Sequence, residues 1–166
     1  MTYPYGSHWA LVEVDPGTAQ VQVLRYAVTY EIGKAIHPAM ARGQIAGGAV
    51  QGIGGSLFEE IIYDRQGNIQ TENLDDYRMP RAMDVPDIEV HLFEDAPAPG
   101  NPLGVRGVGE AGIAGAGAAI AGAVRDALQL TGPVPRLPLT QRVLFDLLQD
   151  AGVLDAGITG DGPGPS

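Results

Sequence analysis

Cysteine is absent from the 166 residues. That excludes disulfides, thiol nucleophiles, zinc sites built from thiolates and any iron–sulfur cluster held by this chain alone. Positive charge is scarce: ten Lys and Arg stand against twenty Asp and Glu, for a formal net charge of −10. With no basic run anywhere, the chain lacks the concentrated cationic face that a nucleic-acid partner demands. Aromatic residues make up only 6% of it, so aliphatic and small side chains are expected to build the interior. Long apolar runs are missing as well. The longest, Ile113 to Val124, is mostly Gly and Ala and too short to span a bilayer. Met1 to Gly6 carry neither the basic region nor the apolar core of a signal peptide. A cytoplasmic location, away from membrane, is expected.

Glycine and proline, by contrast, number 24 and 13, and they cluster. Ahead of the clusters, Trp9 to Asp15 places Ala10, Val12 and Val14 on one face and Glu13 on the other, which predicts a strand. Asp15-Pro16-Gly17 is a turn, and Val21 to Tyr30 is a second β-rich run, so a hairpin is predicted. It starts almost at once, as expected of a chain cut from something longer. His37-Pro38 marks a boundary, because the residue before proline is pushed out of the helical region. From Ala39 to about Tyr63 the pattern is helical, yet glycine occupies positions 43, 47, 48, 52, 54 and 55. Each interior glycine costs roughly 1 kcal/mol relative to alanine, so together they oppose the helix by about 5 kcal/mol. Such a helix needs close backbone approach, to another element or to a ligand. Gly43/Gly47 and Gly48/Gly52 each share a face by their spacing, and tight helix packing and ligand contact both account for them.

Beyond this helix, Asp64 to Asn68 is a turn and Leu74 to Val85 is irregular around Pro80. Ile88 to Phe93 alternates as a strand, Ala96 to Gly104 is a Pro/Gly-rich loop, and Gly115 to Leu128 is a small-residue helix. Thr140 is the candidate N-cap of a last helix, Gln141 to Gln149, with Val143, Leu144, Leu147 and Leu148 as its apolar stripe. The expected organisation is one α+β domain over residues 1–150, a mixed β-sheet packed by Gly-rich helices, followed by a flexible tail over 151–166.

For chemistry, the sharpest local feature is Gly107-Val108-Gly109-Glu110-Ala111-Gly112. Gly-X-Gly ahead of a helix lets backbone N–H groups converge on an anion. A carboxylate at position 110, held among those N–H groups, is available as a base at neutral pH. On the local pattern alone, a glutamate that merely complements the helix dipole is the better account. The pairs Glu59-Glu60 and Asp75-Asp76 read as solvated charges. His8, His37 and His91 have no metal-like spacing and read as structural or exposed, and Ser56 lacks a nucleophile-elbow context.

Taken in order, several segments carry more. Gly43-Gln44-Ile45-Ala46-Gly47-Gly48-Ala49-Val50-Gln51-Gly52-Ile53-Gly54 is followed by Leu57-Phe58-Glu59-Glu60, Asp76-Tyr77-Arg78-Met79-Pro80, Val85-Pro86-Asp87-Ile88, Asn101-Pro102-Leu103-Gly104 and Gly107-Val108-Gly109-Glu110. Val12-Glu13-Val14-Asp15 and Ile36-His37-Pro38 precede them, and Pro138-Leu139-Thr140 closes the series. The order and spacing resemble the C-terminal part of the molybdopterin-binding large subunit of the xanthine dehydrogenase, aldehyde oxidase and aerobic carbon monoxide dehydrogenase family.

The resemblance implies a fold, that of the C-terminal molybdopterin-binding domain of molybdenum hydroxylases, and roles for particular residues. Glu110 aligns with the catalytic base, the proton acceptor when a water-derived oxygen attacks an electron-poor substrate carbon. Gln44 aligns with a glutamine that contacts the pterin. Arg106, Gly107, Val108 and Gly109 form the turn beside the cofactor, with no metal ligand among them. His37 stands where the family usually has Asn, and Arg106 where it usually has Lys. The implied cofactor is molybdopterin, in its cytosine dinucleotide form, shared with a partner chain that carries the N-terminal part of the molybdenum subunit. Iron–sulfur clusters and FAD are expected on an iron–sulfur subunit and a flavin subunit, and the substrate is a small N-heterocycle or aldehyde. The expectation is therefore a split hydroxylase subunit. The rival is a non-catalytic truncated remnant or fragment that binds no metal by itself.

Overall fold

The computed structural model describes residues 2–154. Alternation near the N-terminus yields strands β1 (Tyr5–Asp15) and β2 (Gln20–Glu31), paired antiparallel from Tyr5↔Glu31 to Asp15↔Gln20. β1 starts four residues before the apolar alternation does. Pairing with β2 carries it past Trp9, because backbone hydrogen bonds extend a strand whose side chains alone do not announce it. At the turn, the Asp15 carboxylate accepts from the Gly17 N–H and the Thr18 hydroxyl, both at 2.8 Å. One irregularity decides which residues face inward. Leu11 pairs with Arg25 but Val12 with Val23, so Leu24 is an extra residue in β2. The inward set of β2 therefore changes parity, from Val21 and Val23 to Tyr26, Val28 and Tyr30, as a bulge requires.

β3 (Ile88–Phe93) joins β2 in parallel, from Tyr26↔Ile88 to Glu31↔Phe93. The three-stranded sheet is mixed, in the order β1-β2-β3. A parallel pair needs a crossover, and its main element is the helix α1 (Pro38–Leu57). His37 starts this helix: its Nδ1 accepts from the Met40 N–H at 3.2 Å, with Pro38 in the first turn. The imidazole thus does the capping work that asparagine does at such positions.

α1 ends at Leu57, six residues short of the predicted Tyr63. The Gly54 carbonyl receives both the Phe58 and Glu59 N–H groups, closing the last turn. Tyr63 instead forms a β-bridge with Ile69 across the predicted Asp64–Asn68 turn, a local pairing that outcompetes helix extension. The predicted helix from Gly115 is two pieces, α2 (Ala111–Ala114) and α3 (Ala116–Ala127), broken at Gly115. A Cβ on Gly115 would collide with the His8 ring, so sheet and helix meet there without room for a side chain. α4 (Gln141–Asp150) follows with Thr140 in the N-cap position, but the threonine hydroxyl makes no capping bond. Its stripe packs as expected, with Leu144 and Leu148 fully buried and Leu147 partly so. Val153 and Leu154 also pack against the core. The rest of the predicted flexible tail, 155–166, lies outside the described residues.

The core lies between one face of the sheet and the helices. Tyr26 and Val28 of β2 meet Ile45, Ala49 and Ile53 of α1, Ile120 and Val124 of α3, and Leu144 and Leu148 of α4. No helix among the described residues is long and apolar enough to cross a membrane.

The helical glycines divide by job. Gly48 lies where an added Cβ would stand 3.0 Å from the Gly112 Cα, and on Gly52 it would strike the Ala116 methyl. A Cβ on Gly112 would in turn strike the Ile45 carbonyl. Gly43 and Gly47 face nothing within 4 Å. Gly52→Ala and Gly112→Ala are accordingly expected to destabilise the chain by roughly 1–3 kcal/mol through overpacking. Gly47→Ala is expected to stabilise it by up to about 1 kcal/mol through helix propensity. Urea denaturation of the three variants checks the sign of each effect.

Candidate functional site

Glu110 is exposed at the N-cap of the four-residue α2, and its side chain makes no capping hydrogen bond. The predicted cradle of N–H groups around the carboxylate is therefore not formed. A helix this short sums too few peptide dipoles and frees too few N–H groups in line. What surrounds Glu110 comes from α1 instead. Gln44, Gly47, Gly48 and Gln51 fall on one stripe of that helix, and with Gly43, Gly109, Glu110 and Ile113 they line a cleft of about 220 Å³. Gln44 Nε2 donates to the Gly109 carbonyl at 2.8 Å, linking two predicted site residues across 65 positions. On the other side of the same turn, Gly107, Val108, Gly109 and Glu110 line a second cleft, of about 650 Å³, with Tyr3, Tyr30 and Ala114. The 107–110 turn is thus a partition, and Glu110 borders both sides.

That turn is held from beneath by backbone groups. Arg106 N–H donates to the Ile32 carbonyl and Gly107 N–H to the Thr2 carbonyl, both at 2.9 Å. Gly33, at φ +71°, would strike the Gly104 carbonyl if it carried a Cβ, so close approach requires glycine there. The Glu31 carboxylate, only 6% exposed, fastens the neighbouring strand ends by accepting from the Gly33 N–H at 2.7 Å and the Asp95 N–H at 2.9 Å. Arg106 belongs to this scaffold. Its guanidinium donates to the Ala96 carbonyl (2.9 Å) and the Tyr3 carbonyl (3.0 Å) and lies over the Tyr5 ring at 5.4 Å. It lines neither cleft beside Glu110. Val108 anchors the turn by packing against the core.

Two further groups stand close by: His8, read from the sequence only as structural or exposed, and Glu31, which sequence reasoning passed over. His8 lies on the inward parity of β1, with Ala10, Val12 and Val14, and that alternation was the available signal. Its Nδ1 lies 2.8 Å from the Tyr26 hydroxyl, and its Nε2 lies 3.2 Å from both the Tyr30 hydroxyl and the Ala111 carbonyl. Burial pushes the imidazole below its ordinary pKa, against a smaller opposing effect of the Ala111 bond. Burial also raises both tyrosines. Glu31 had no comparable signal, since only the 93–95 segment of another element covers it.

Other candidates separate from the site. Glu59 accepts from the Tyr77 hydroxyl at 3.3 Å, and Glu60 pairs with Arg136 at 3.4 Å. Both are partly buried, so neither is the freely solvated charge predicted, because the 77–80 and 136 segments fold back onto the end of α1. Asp75, Asp76 and His91 are exposed. A larger cleft of about 700 Å³ lies between the hairpin tip, the end of α1 and α4, lined by Asp15, Phe58, Arg78 and Arg142. It holds none of the predicted site residues.

No group of three or more His, Asp or Glu able to hold a metal occurs among the described residues. Around Glu110 stand amides, open glycines and backbone carbonyls, donors and acceptors suited to an organic, hydrogen-bonding ligand rather than a bare ion.

The pH dependence of stability follows from His8. Its folded pKa lies below the ordinary 6.5, so the unfolded chain binds the proton more readily. The corresponding stability is complete above pH 6.5 and is lost as pH falls through the folded value. Asp84, held below its ordinary 3.8 by Arg81, titrates in a lower window. Between pH 7.5 and 5 the wild-type melting temperature is expected to fall more steeply than that of His8→Gln. Parallel profiles would show that His8 is not the group responsible.

The molybdopterin cofactor-binding domain family matches residues 1–86. The gamma subunit of the 6-hydroxypseudooxynicotine dehydrogenase complex of Paenarthrobacter nicotinovorans is 44% identical over 149 residues, 90% of this chain and 19% of that protein. The nicotine 6-hydroxylase large subunit of the same organism is 43% identical, over 78% of this chain and 16% of its own length. Among solved structures, quinoline 2-oxidoreductase from Pseudomonas putida 86 superposes with a TM-score of 0.83 at 39% identity, covering 87% of this chain and 18% of that one. The chain thus spans less than a fifth of the length of these relatives.

Proposed function

This chain belongs to the molybdopterin cofactor-binding domain family, and on that premise we propose that it supplies the catalytic glutamate and one wall of the cofactor site of a molybdenum hydroxylase. The carrying observation is the cleft in which Gln44, the open glycines 43 and 47, and Glu110 converge from segments far apart in sequence. A Cβ at either open glycine would meet no protein atom within 4 Å, so both positions leave room beside the cleft for a ligand. Gln44 and Gln51 offer amides, and the Gly107–Gly109 turn offers backbone groups, to a pterin laid along α1. Arg106 supports this wall from behind. Molybdopterin, when bound, supplies the two-electron redox chemistry of a hydroxylation whose oxygen comes from water.

The chain's own part is proton handling and exclusion of side chains. Glu110 borders both clefts and has no partner that claims its carboxylate among the described residues, which leaves an oxygen available to accept a proton from the attacking oxygen. The relatives are named for nicotine, 6-hydroxypseudooxynicotine and quinoline. Nicotine and quinoline are N-heterocycles, which favours an N-heterocycle over an aldehyde as substrate. The cytosine dinucleotide form of the cofactor, iron–sulfur and flavin subunits to take the electrons, and a cytoplasmic setting complete the proposal.

The sheet's outer face supports a partner chain carrying the rest of the molybdenum subunit. Tyr5 and Trp9 of β1 and Phe93 of β3 are 57%, 49% and 48% exposed there, alongside Leu11 and Leu24, more apolar surface than a face meant for solvent usually carries.

Two measurements test the proposal. In the assembled complex, Glu110→Gln is expected to lower turnover by about 10²–10⁴-fold while molybdenum content stays stoichiometric. Gly47→Ala is expected to lower molybdenum content although the chain itself is no less stable. A metal-free chain whose complex is indifferent to both changes would mark a non-catalytic remnant. Separately, the emission of Trp9, this chain's only tryptophan, is expected to shift to the blue when a tryptophan-free version of the partner binds. An unchanged spectrum would place the interface elsewhere.

A further inference from the structure

The histidine on β1 does more than fill the core. The Ala111 carbonyl can only accept, so the His8 Nε2 that faces it at 3.2 Å carries the ring proton. Nδ1 is then an acceptor, and the Tyr26 hydroxyl donates to it at 2.8 Å. Tyr30, 3.2 Å from Nε2, flanks the same proton. Both tyrosine rings stand edge-on to the imidazole, at interplanar angles of 77° and 89°, so the ring is held in position as well as in tautomer. Tyr26 and Tyr30 are themselves buried in the sheet. The bond to Ala111 crosses from this rigid platform to the residue immediately after Glu110.

Two local features of the turn fit that bond. In a continuous helix the Gly115 N–H would close onto the Ala111 carbonyl, but here it turns to the Ile113 carbonyl. That leaves the Ala111 oxygen to His8. A Cβ at 115 would collide with the imidazole, so glycine at this position is what lets the ring reach the turn. Gln44 holds the Gly109 carbonyl on the opposite side, and Glu110 therefore sits between two side-chain anchors, one from α1 and one from the sheet.

We propose that His8 is a positioning residue for Glu110: oriented by Tyr26 and Tyr30, it holds the Ala111 carbonyl and so sets where the adjoining carboxylate stands. The proposal rests on Glu110 as the proton acceptor, but its test does not depend on turnover. Amide hydrogen exchange of the full chain, followed in peptides covering 107–115 and in control peptides from β1 and β2, reads the anchoring directly. His8→Phe keeps a ring and removes both nitrogens. It is expected to speed exchange in 107–115 by about five- to tenfold, the loss of one net hydrogen bond, with little change in the strands. His8→Gln, which offers an N–H in place of Nε2, is expected to restore most of the protection. Tyr26→Phe, which frees the ring without emptying the core, is expected to speed exchange in 107–115 by about twofold and serves if His8→Phe does not fold.

Wild-type exchange at 107–115 in His8→Phe or in Tyr26→Phe overturns the proposal. So does a loss spread equally over the strands, which would mean general destabilisation, or a His8→Gln variant no better protected than His8→Phe. Turnover of Glu110→Gln judges the role of Glu110 separately. If that variant keeps its activity the glutamate's role fails, while the exchange pattern still decides whether His8 places the turn.

Discussion

Everything near Glu110 depends on how closely the backbones approach where α1 crosses α2 and the start of α3. Gly48 and Gly52 on one side meet Gly112 and Ala116 on the other, and side chains on those glycines would strike their neighbours. The approach brings the stripe of Gln44 and Gly47 alongside the 107–110 turn. Without it, Gln44 would not reach the Gly109 carbonyl, and the cleft beside Glu110 would open into solvent. Several glycines in one helix oppose it by about 1 kcal/mol each, and burial of Ile45, Ala49 and Ile53 against the sheet provides the compensating stabilisation. Close packing at Gly48 and Gly52 and open space at Gly43 and Gly47 coexist because the two pairs flank opposite edges of the stripe that borders the cleft.

A second constraint comes from the far side of the turn. The ends of β2 and β3 and the 104–107 segment meet where side chains have little room, and their polar groups are joined through the Glu31 carboxylate and the Ile32, Phe93 and Thr2 carbonyls. Arg106 closes this junction with two hydrogen bonds and an aromatic contact. A lysine ammonium is a point charge and could not span both carbonyls in the same planar geometry. Where the resemblance expects a lysine, the surroundings of Arg106 thus use a guanidinium. His37, the other departure, likewise takes up the capping bond that an asparagine would make. Neither residue lines the cleft beside Glu110.

The elements differed in how plainly their residues declared them. β3 emerged with the predicted bounds because apolar and polar residues alternate without interruption from Ile88 to Phe93. The first hairpin was equally plain, but its bulge at Leu24 carries no local mark, since it concerns which partner residue stands opposite. The end of α1 was overextended because Ile61 and Ile62 continue an apolar pattern. Ile62 and Tyr63 pair instead with residues just beyond the Asp64 turn. His8 was read no further than structural or exposed for a related reason: a lone histidine in a strand says nothing of the two tyrosines and the carbonyl that surround it. Glu110 was singled out by the order of motifs around it, while the expected electrostatic cradle is not formed because α2 is a single turn.

Taken by itself, the amino-acid order determined the kind of fold, the glycine-rich helix, the family and the identity of the residues to watch. Those properties are written in local alternation, in turn chemistry and in the sequence of short motifs, none of which needs distant contacts to exist. Tertiary structure alone decided which glycines pack and which stay open, that Arg106 braces the 107–110 turn instead of lining a cleft, and that His8 reaches across 103 positions to the residue beside Glu110. The physical reason is that a cleft, a collision and a hydrogen bond between remote segments are properties of space between elements, and only the packed core sets that space.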